Sequence, residues 1–232
     1  MRDSARWLLA GTLLACTLPA GAATDGVYHP YVNQGEREVE YGLTWRGLGD
    51  DSLTLQRASV AYSWTDRLST ELYLISEFPS HGDSRVRASE LEVKWQLTEQ
   101  GEYSSDWGLL FEVEVGDDID RDEVAAGVLW EKELGGRWVA AANALLEYES
   151  GAEIENEFET AFRAQLRYRH RPAFEPAVEL YLDDIDHAAG PAILGARPLG
   201  AGNQLRWELG LYFGLDSETP DLSLRTNIEF EF

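Results

Sequence analysis

Residues 222–232 read LSLRTNIEFEF and alternate at every position. Leu222, Leu224, Thr226, Ile228, Phe230 and Phe232 fall on one side; Ser223, Arg225, Asn227, Glu229 and Glu231 fall on the other. Strand side chains point to opposite faces in turn, so this stretch predicts a β-strand with one apolar and one charged face. A strand of this kind that closes a chain on phenylalanine is the form in which barrels of the Gram-negative outer membrane present their insertion signal. Ile228, Phe230 and Phe232 are the residues expected to carry that signal to the barrel-insertion machinery.

The same alternation recurs on working back through the chain. Residues 205–213 set Trp207, Leu209 and Leu211 against Arg206, Glu208 and Gly210. Residues 158–168 set Phe162, Ala164, Leu166 and Tyr168 against Glu159, Arg163, Gln165 and Arg167. Residues 107–115, 90–97 and 38–45 repeat the pattern, with Glu112 and Glu114, Glu90 and Glu92, and Glu38 and Glu40 on their polar faces. Weaker members lie near 53–64, 68–78, 123–133, 137–148, 174–184 and 191–198, the last interrupted by Pro198 and glycines. A tilted membrane strand needs about 9–11 residues. The fold class expected is therefore all-β, an antiparallel transmembrane β-barrel of about twelve strands, with ten as the alternative if 191–198 is loop.

Aromatic residues sort by strand end. Tyr41, Trp64, Trp95, Trp107, Trp130, Trp138, Tyr168, Phe174 and Phe232 all fall toward one rim. Trp45, Tyr148, Phe158 and Phe213 make a sparser set at the other. Aromatic rings favour the membrane interface, where an apolar body and a polar edge are both satisfied. If the first strand runs outward, the outer connections carry Asp50 and Asp51, His81 and Asp83, 117–122, 153–157, 184–187 and 216–221, all acidic. The connections at the other end, in the periplasm, are mostly short.

The beginning of the chain reads as an export signal. Arg2 and Arg6 precede an apolar run, 7–15, which leads to Ala20, Gly21, Ala22 and Ala23. The organisation expected is a cleaved signal peptide over 1–23, a periplasmic N-terminal segment over 24–35 and an outer-membrane barrel over 36–232. Cys16, the single cysteine, follows Leu13, Leu14 and Ala15 in a loose lipobox, a competing lipoprotein reading. Losing Arg2, Arg6 and Asp3 takes the 19 basic and 42 acidic residues to 17 and 41, and the formal charge from −23 to −24. So acidic a chain has no footprint for nucleic acid.

The polar face gathers Glu38, Glu40, Glu90, Glu92, Glu112, Glu114, Arg163, Arg167, Arg206, Glu208, Arg225 and Glu229. Charges lining a lumen are wet or paired, because an isolated buried charge is expensive. Two readings follow: an ion-paired filling that holds a narrow barrel shut, or a hydrated pore whose surplus of carboxylates favours cations. Asp118, Asp120 and Asp122 have the alternate spacing with which loops offer oxygen ligands to calcium, without the glycine and closing glutamate of an EF-hand. Among His29, His81, His170 and His187 none has a second histidine at metal-binding spacing. His81, with Ser80 and Asp83, and His187, with Asp183, Asp184 and Asp186, are the residues an outer-membrane enzyme would use. No cofactor is expected.

The chain resembles the small outer-membrane barrels of the phenol-degradation MetA-pathway, or transporter-like, family. The resemblance rests on Pro30-Tyr31-Val32, on Gly35-Glu36-x-Glu38-x-Glu40, on Pro191-Ala-Ile-Leu-Gly195, on Leu205-Arg206-Trp207-x-Leu209-Gly210, on Pro220-Asp221 and on the terminal strand. It implies a channel or transporter and carries over no catalytic residue. The expected function is passive passage of small solutes or cations. The alternatives are a non-conducting barrel that docks a partner and an enzyme using a loop histidine. The expected surroundings are outer-membrane lipid and lipopolysaccharide.

Overall fold

The computed structural model describes residues 26–117, 122–151, 156–184 and 186–232. Twelve strands follow one another: β1 (Arg37–Leu48), β2 (Asp51–Ser63), β3 (Leu68–Pro79), β4 (Arg85–Gln96), β5 (Asp106–Gly116), β6 (Asp122–Gly135), β7 (Trp138–Ser150), β8 (Glu157–Tyr168), β9 (Glu175–Leu182), β10 (His187–Gly200), β11 (Asn203–Gly214) and β12 (Leu222–Glu231). Each is antiparallel to its neighbours in sequence, and β12 pairs with β1 from Glu38↔Glu231 to Gly47↔Leu222, which closes the barrel. Phe232 finishes the seam by exchanging backbone hydrogen bonds with Arg37 at 2.8 and 3.0 Å. Closure removes the free sheet edge, a requirement for any sheet that meets lipid.

The inside-out distribution of side chains identifies the solvent. Large apolar residues face outward all round the wall, among them Val39, Val60, Leu72, Leu91, Phe111, Val178 and Ile228, each more than 40% exposed. The buried set is instead rich in charge: Glu90, Glu92, Glu131, Glu179, Arg87, Arg163 and Arg225. No water-soluble fold gains from that inversion, whereas a lipid-embedded barrel requires it. Seven of the nine aromatic residues assigned to one rim, Tyr41, Trp64, Trp95, Trp107, Trp138, Phe174 and Phe232, are exposed. That rim, where β1 begins and β12 ends, is the inner rim.

The least regular of the sequence segments is a full strand. β10 pairs with β9 from His187↔Leu182 to Leu194↔Glu175, and with β11 on its other side, so the barrel has twelve strands rather than ten. Its irregularity has local causes. The ladder to β11 skips Gly190 and Pro191, because proline has no N–H to donate. A Cβ at Gly190 would lie 1.9 Å from the Leu211 carbonyl oxygen, so only glycine permits this approach. Near the inner rim a bulge between Pro198 and Gly200 shifts the register again.

Candidate functional site

The lumen is partly filled by the chain's own N-terminal segment. The sequence reading assigned residues 24–35 to the periplasm as one segment; in the structure residues 26–32 run inside the barrel from the inner rim. Hydrogen bonds hold them against β4 to β7. The Tyr28 amide donates to the Asn143 side chain at 2.8 Å, and that side chain donates back to the Tyr28 carbonyl at 2.9 Å. The Val32 amide donates to Gln96 at 2.7 Å. The Tyr28 hydroxyl donates to Glu112 at 3.1 Å, and the Tyr31 hydroxyl lies 2.8 Å from Asp106 and 3.1 Å from Glu131. Apolar contacts complete the fit: Tyr28 packs on Leu110, Leu129, Leu145 and Ala161, and Val27 joins Ala141, Tyr181, Ala188 and Tyr212.

Glu131 anchors this plug. It is fully buried, hydrogen-bonded to His29, and approached by Arg169 at 3.7 Å and Arg167 at 3.9 Å. A second buried node ties β9, β11 and β12 together. Arg225 on β12 reaches Glu179 on β9 at 2.9 Å and Glu208 on β11 at 3.1 Å. Glu179 also accepts hydrogen bonds from Tyr181 at 2.6 Å, Tyr212 at 2.5 Å and Gln165 at 2.8 Å. Gly210 makes room for this: a Cβ there would sit 1.9 Å from the Tyr212 hydroxyl, which folds back over its own strand. At the rim opposite the inner one, Asp186 folds inward to pair with Arg46.

Beside the plug remains a cavity of about 460 Å³. Its wall comes chiefly from β11, β12 and β1 to β3, and it extends to inner-rim residues such as Gln100, Pro172 and Gln204. Glu38, Glu40, Glu71, Glu208 and Glu229 line it, facing Arg57, Lys94, Arg206 and Arg225. Arg206 pairs with Glu231 at 3.1 Å and Glu229 at 3.7 Å. Arg57 pairs with Glu90 at 3.0 Å and lies over the Tyr73 ring, 4.3 Å from its centroid.

The twelve residues that the sequence assigned to the polar face divide between these regions. Glu38, Glu40, Glu92, Arg167, Arg206, Glu208, Arg225 and Glu229 border the cavity. Glu90 and Glu112 lie behind the plug, Glu114 is 3.5 Å from Arg87, and Arg163 approaches the Tyr28 ring at 5.5 Å. Sequence reasoning missed the lumen cations Arg46, Arg57 and Arg87 and the plug itself. A signal for the plug was present: residues 27–32 read VYHPYV, too apolar for a solvated tail, and the inward positions 108, 110, 127, 129, 141 and 145 are all apolar or glycine.

Of the loop candidates, Asp118 and Asp120 lie outside the described residues. Asp122 opens β6 and accepts from the Gly116 amide at 3.2 Å. His81 stands 3.5 Å from Asp51, and Ser80 donates to that aspartate rather than to the histidine. His187 pairs with Asp216 at 2.7 Å. Asp216 in turn accepts from Thr219, which holds its carboxyl below the usual carboxylate range. Neither histidine activates a nucleophile in this geometry. Ile228 and Phe232 are exposed on the lipid face, and the Phe230 and Phe232 rings stack 5.6 Å apart.

No family model matches the chain, and no curated protein matches it. Solved structures do. An outer-membrane channel from Pseudomonas putida F1 superposes with a TM-score of 0.58 at 18% identity, over 90% of this chain and 97% of the other. The KdgM porin in complex with disordered oligogalacturonate gives 0.54 at 9% identity, over 84% and 98%. The β domain of the Bordetella autotransporter BrkA gives 0.56 at 14% identity, over 86% and 100%. The chain thus has the fold of the small outer-membrane β-barrels. Channels and an autotransporter share it, so function has to be argued from the lumen.

Proposed function

We propose that this protein is an outer-membrane channel through which small solutes, cations before anions, diffuse passively along the half of the lumen lined by β11, β12 and β1 to β3. The observation that carries the reading is the charged cavity beside the plug, whose lining has ten glutamates against six arginines and lysines. A surplus of fixed carboxylates concentrates cations and repels anions, as acidic rings do in cation pores. The channels among the similar structures support passive transport, and the reading needs no catalytic group. It includes export through the signal peptide at 1–23, insertion signalled by Ile228, Phe230 and Phe232, and an acidic rim facing lipopolysaccharide.

A barrel held shut is the second reading, favoured by the plug and by the buried Arg225–Glu179 node. Single-channel current of the refolded mature chain in a planar bilayer, under a salt gradient, separates the two. Discrete steps with a cation-selective reversal potential support the channel. A protein that inserts and stays silent favours the closed barrel.

A further inference from the structure

Cross-strand neighbours trace an acidic path round the lumen. Read from strand to strand, the register runs Glu231↔Glu38, Glu38↔Ala61, Ala61↔Glu71, Glu71↔Glu92, Glu92↔Glu112, Glu112↔Ala125, Ala125↔Glu147 and Glu147↔Glu159. Seven of these nine positions are glutamate. Glu38 is the second residue of β1, at the inner rim, and Glu159 is the third of β8, at the opposite rim. Strands tilt in a barrel, so a row of paired residues climbs as it circles. This row therefore crosses the full height of the wall as a spiral of carboxylates.

Directly opposed like charges destabilise a sheet, and here they stand opposite one another four times: at 231/38, 71/92, 92/112 and 147/159. Three groups of glutamates bring carboxylate oxygens within 4.8 Å of one another: Glu38, Glu40 and Glu71; Glu90, Glu92 and Glu112; Glu149, Glu157 and Glu159. Each group contains at least one member of the spiral. The middle one carries a further, independent sign. Glu92 is 2% exposed, and its Oε2 is buried without a partner. Among the described residues Glu92 makes no hydrogen bond or ion pair. Around it Arg57 pairs with Glu90, the Tyr28 hydroxyl donates to Glu112, and the Lys94 ammonium lies toward Glu92 itself as well as toward Glu38 and Glu71. Glu92 thus has a buried carboxylate oxygen with no hydrogen-bond partner, stands in a group of three carboxylates, and shares the single charge of Lys94 with Glu38 and Glu71, so a further cation would offset its desolvation.

We propose that Glu90, Glu92 and Glu112 bind one hard divalent cation, as the middle station of a carboxylate path along which cations cross the barrel. The donors are all oxygen, three carboxylates with the Tyr28 hydroxyl alongside, which selects calcium- or magnesium-like ions over softer metals. Each carboxylate has several lone-pair sites, so a carboxylate that accepts a hydrogen bond can also ligate a cation. The station sits where the plug meets the wall, and its occupancy draws Tyr28 and β4 together. The path rests on the channel reading; the site does not.

Terbium luminescence tests the site, because Tyr28 and Tyr73 stand close enough to sensitise a bound lanthanide. The refolded mature chain in detergent is titrated with Tb3+ and then with Ca2+. The expected result is one saturable site per chain, displaced by Ca2+. In Glu92→Gln it weakens by at least about tenfold, as affinity follows the ligand charge count. Glu102→Gln, on the exposed β4–β5 loop, leaves it unchanged. Binding that is absent, or equal in Glu92→Gln and the unmodified chain, overturns the proposal. Should Glu92→Gln fail to fold, the unmodified chain decides: a Ca2+-dependent rise in unfolding temperature that saturates at one ion supports the site, and no rise overturns it. Conductance separates the two readings. A conducting protein without the site defeats this inference alone, and a silent protein with the site defeats the channel alone.

Discussion

Along β4 to β8 the lumen wall is covered by the plug, and most of its charges end in specific partners; along β11, β12 and β1 to β3 a similar wall faces open space. Where the plug touches it, the covered half offers an apolar patch, Leu110, Leu129, Ala141 and Leu145, among the polar groups that hold the plug. The open half keeps carboxylates and guanidinium groups facing the cavity. Both halves are built from the same alternating strands, so membrane insertion sets the outer face and leaves the inner face free to diverge. The difference teaches that a barrel's conductance lies in what its lumen positions meet, and not in strand number alone.

The largest effect expected from breaking this contrast concerns stability. Arg225→Met leaves Glu179 buried without its cation and destabilises the barrel by about 3–5 kcal/mol. Arg206→Met, whose partners Glu229 and Glu231 border the cavity, costs less than about 1 kcal/mol, as for a wet ion pair. Urea unfolding in micelles measures both, and equal losses would erase the distinction between the buried Arg225–Glu179 node and the wet ion pairs beside it.

Next in size is the plug. Deleting residues 26–33 leaves all twelve strands intact and raises single-channel conductance several-fold, since the space beside Leu110, Leu129 and Asn143 opens. An unchanged conductance would mean that the covered half is not in series or in parallel with the route. His29→Ala sharpens the same point with a smaller effect. Losing the bond to Glu131 frees one end of the plug, so brief full-size openings become more frequent in single-channel records while the smaller conducting level keeps its size.

The smallest effect expected lies outside both halves, in the loop 215–221. Thr219 donates to Asp216 through backbone and side chain, and this lowers the carboxyl's pKa. A depressed carboxylate pKa contributes stability that is present above the ordinary value, near about 4, and is lost as pH falls through the folded value. Hydrogen exchange at the Thr219 amide should therefore stay slow at neutral pH and quicken only in strong acid, and Asp216→Asn should quicken it at every pH.

Much of the fold was legible because its determinants are local. Alternation marked all twelve strands, and the aromatic residues marked the rim. The bounds of β10 were obscured by Gly190, Pro191 and Pro198, each of which serves a close approach, a missing donor or a bulge that only the neighbouring strand explains. The same alternation marks which charges share a strand face. Their partners were not legible: Arg225 finds Glu179 at a separation of 46 residues, and Tyr28 finds Asn143 at 115. Such pairings depend on barrel closure and shear, which no short window of sequence contains. The plug was missed because residues 24–35 were judged by their place before the first strand, although the apolar run 27–32 matches apolar inner positions of β5 to β7.

The reversal potential under a tenfold KCl gradient, measured for the unmodified barrel and for Glu38→Gln/Glu40→Gln, tests the central claim most directly. The account predicts a cation-selective potential that moves clearly toward zero when these two carboxylates of the open half lose their charge. A potential that is anion-selective from the start, or that does not move in the double variant, would contradict a cation route through that half.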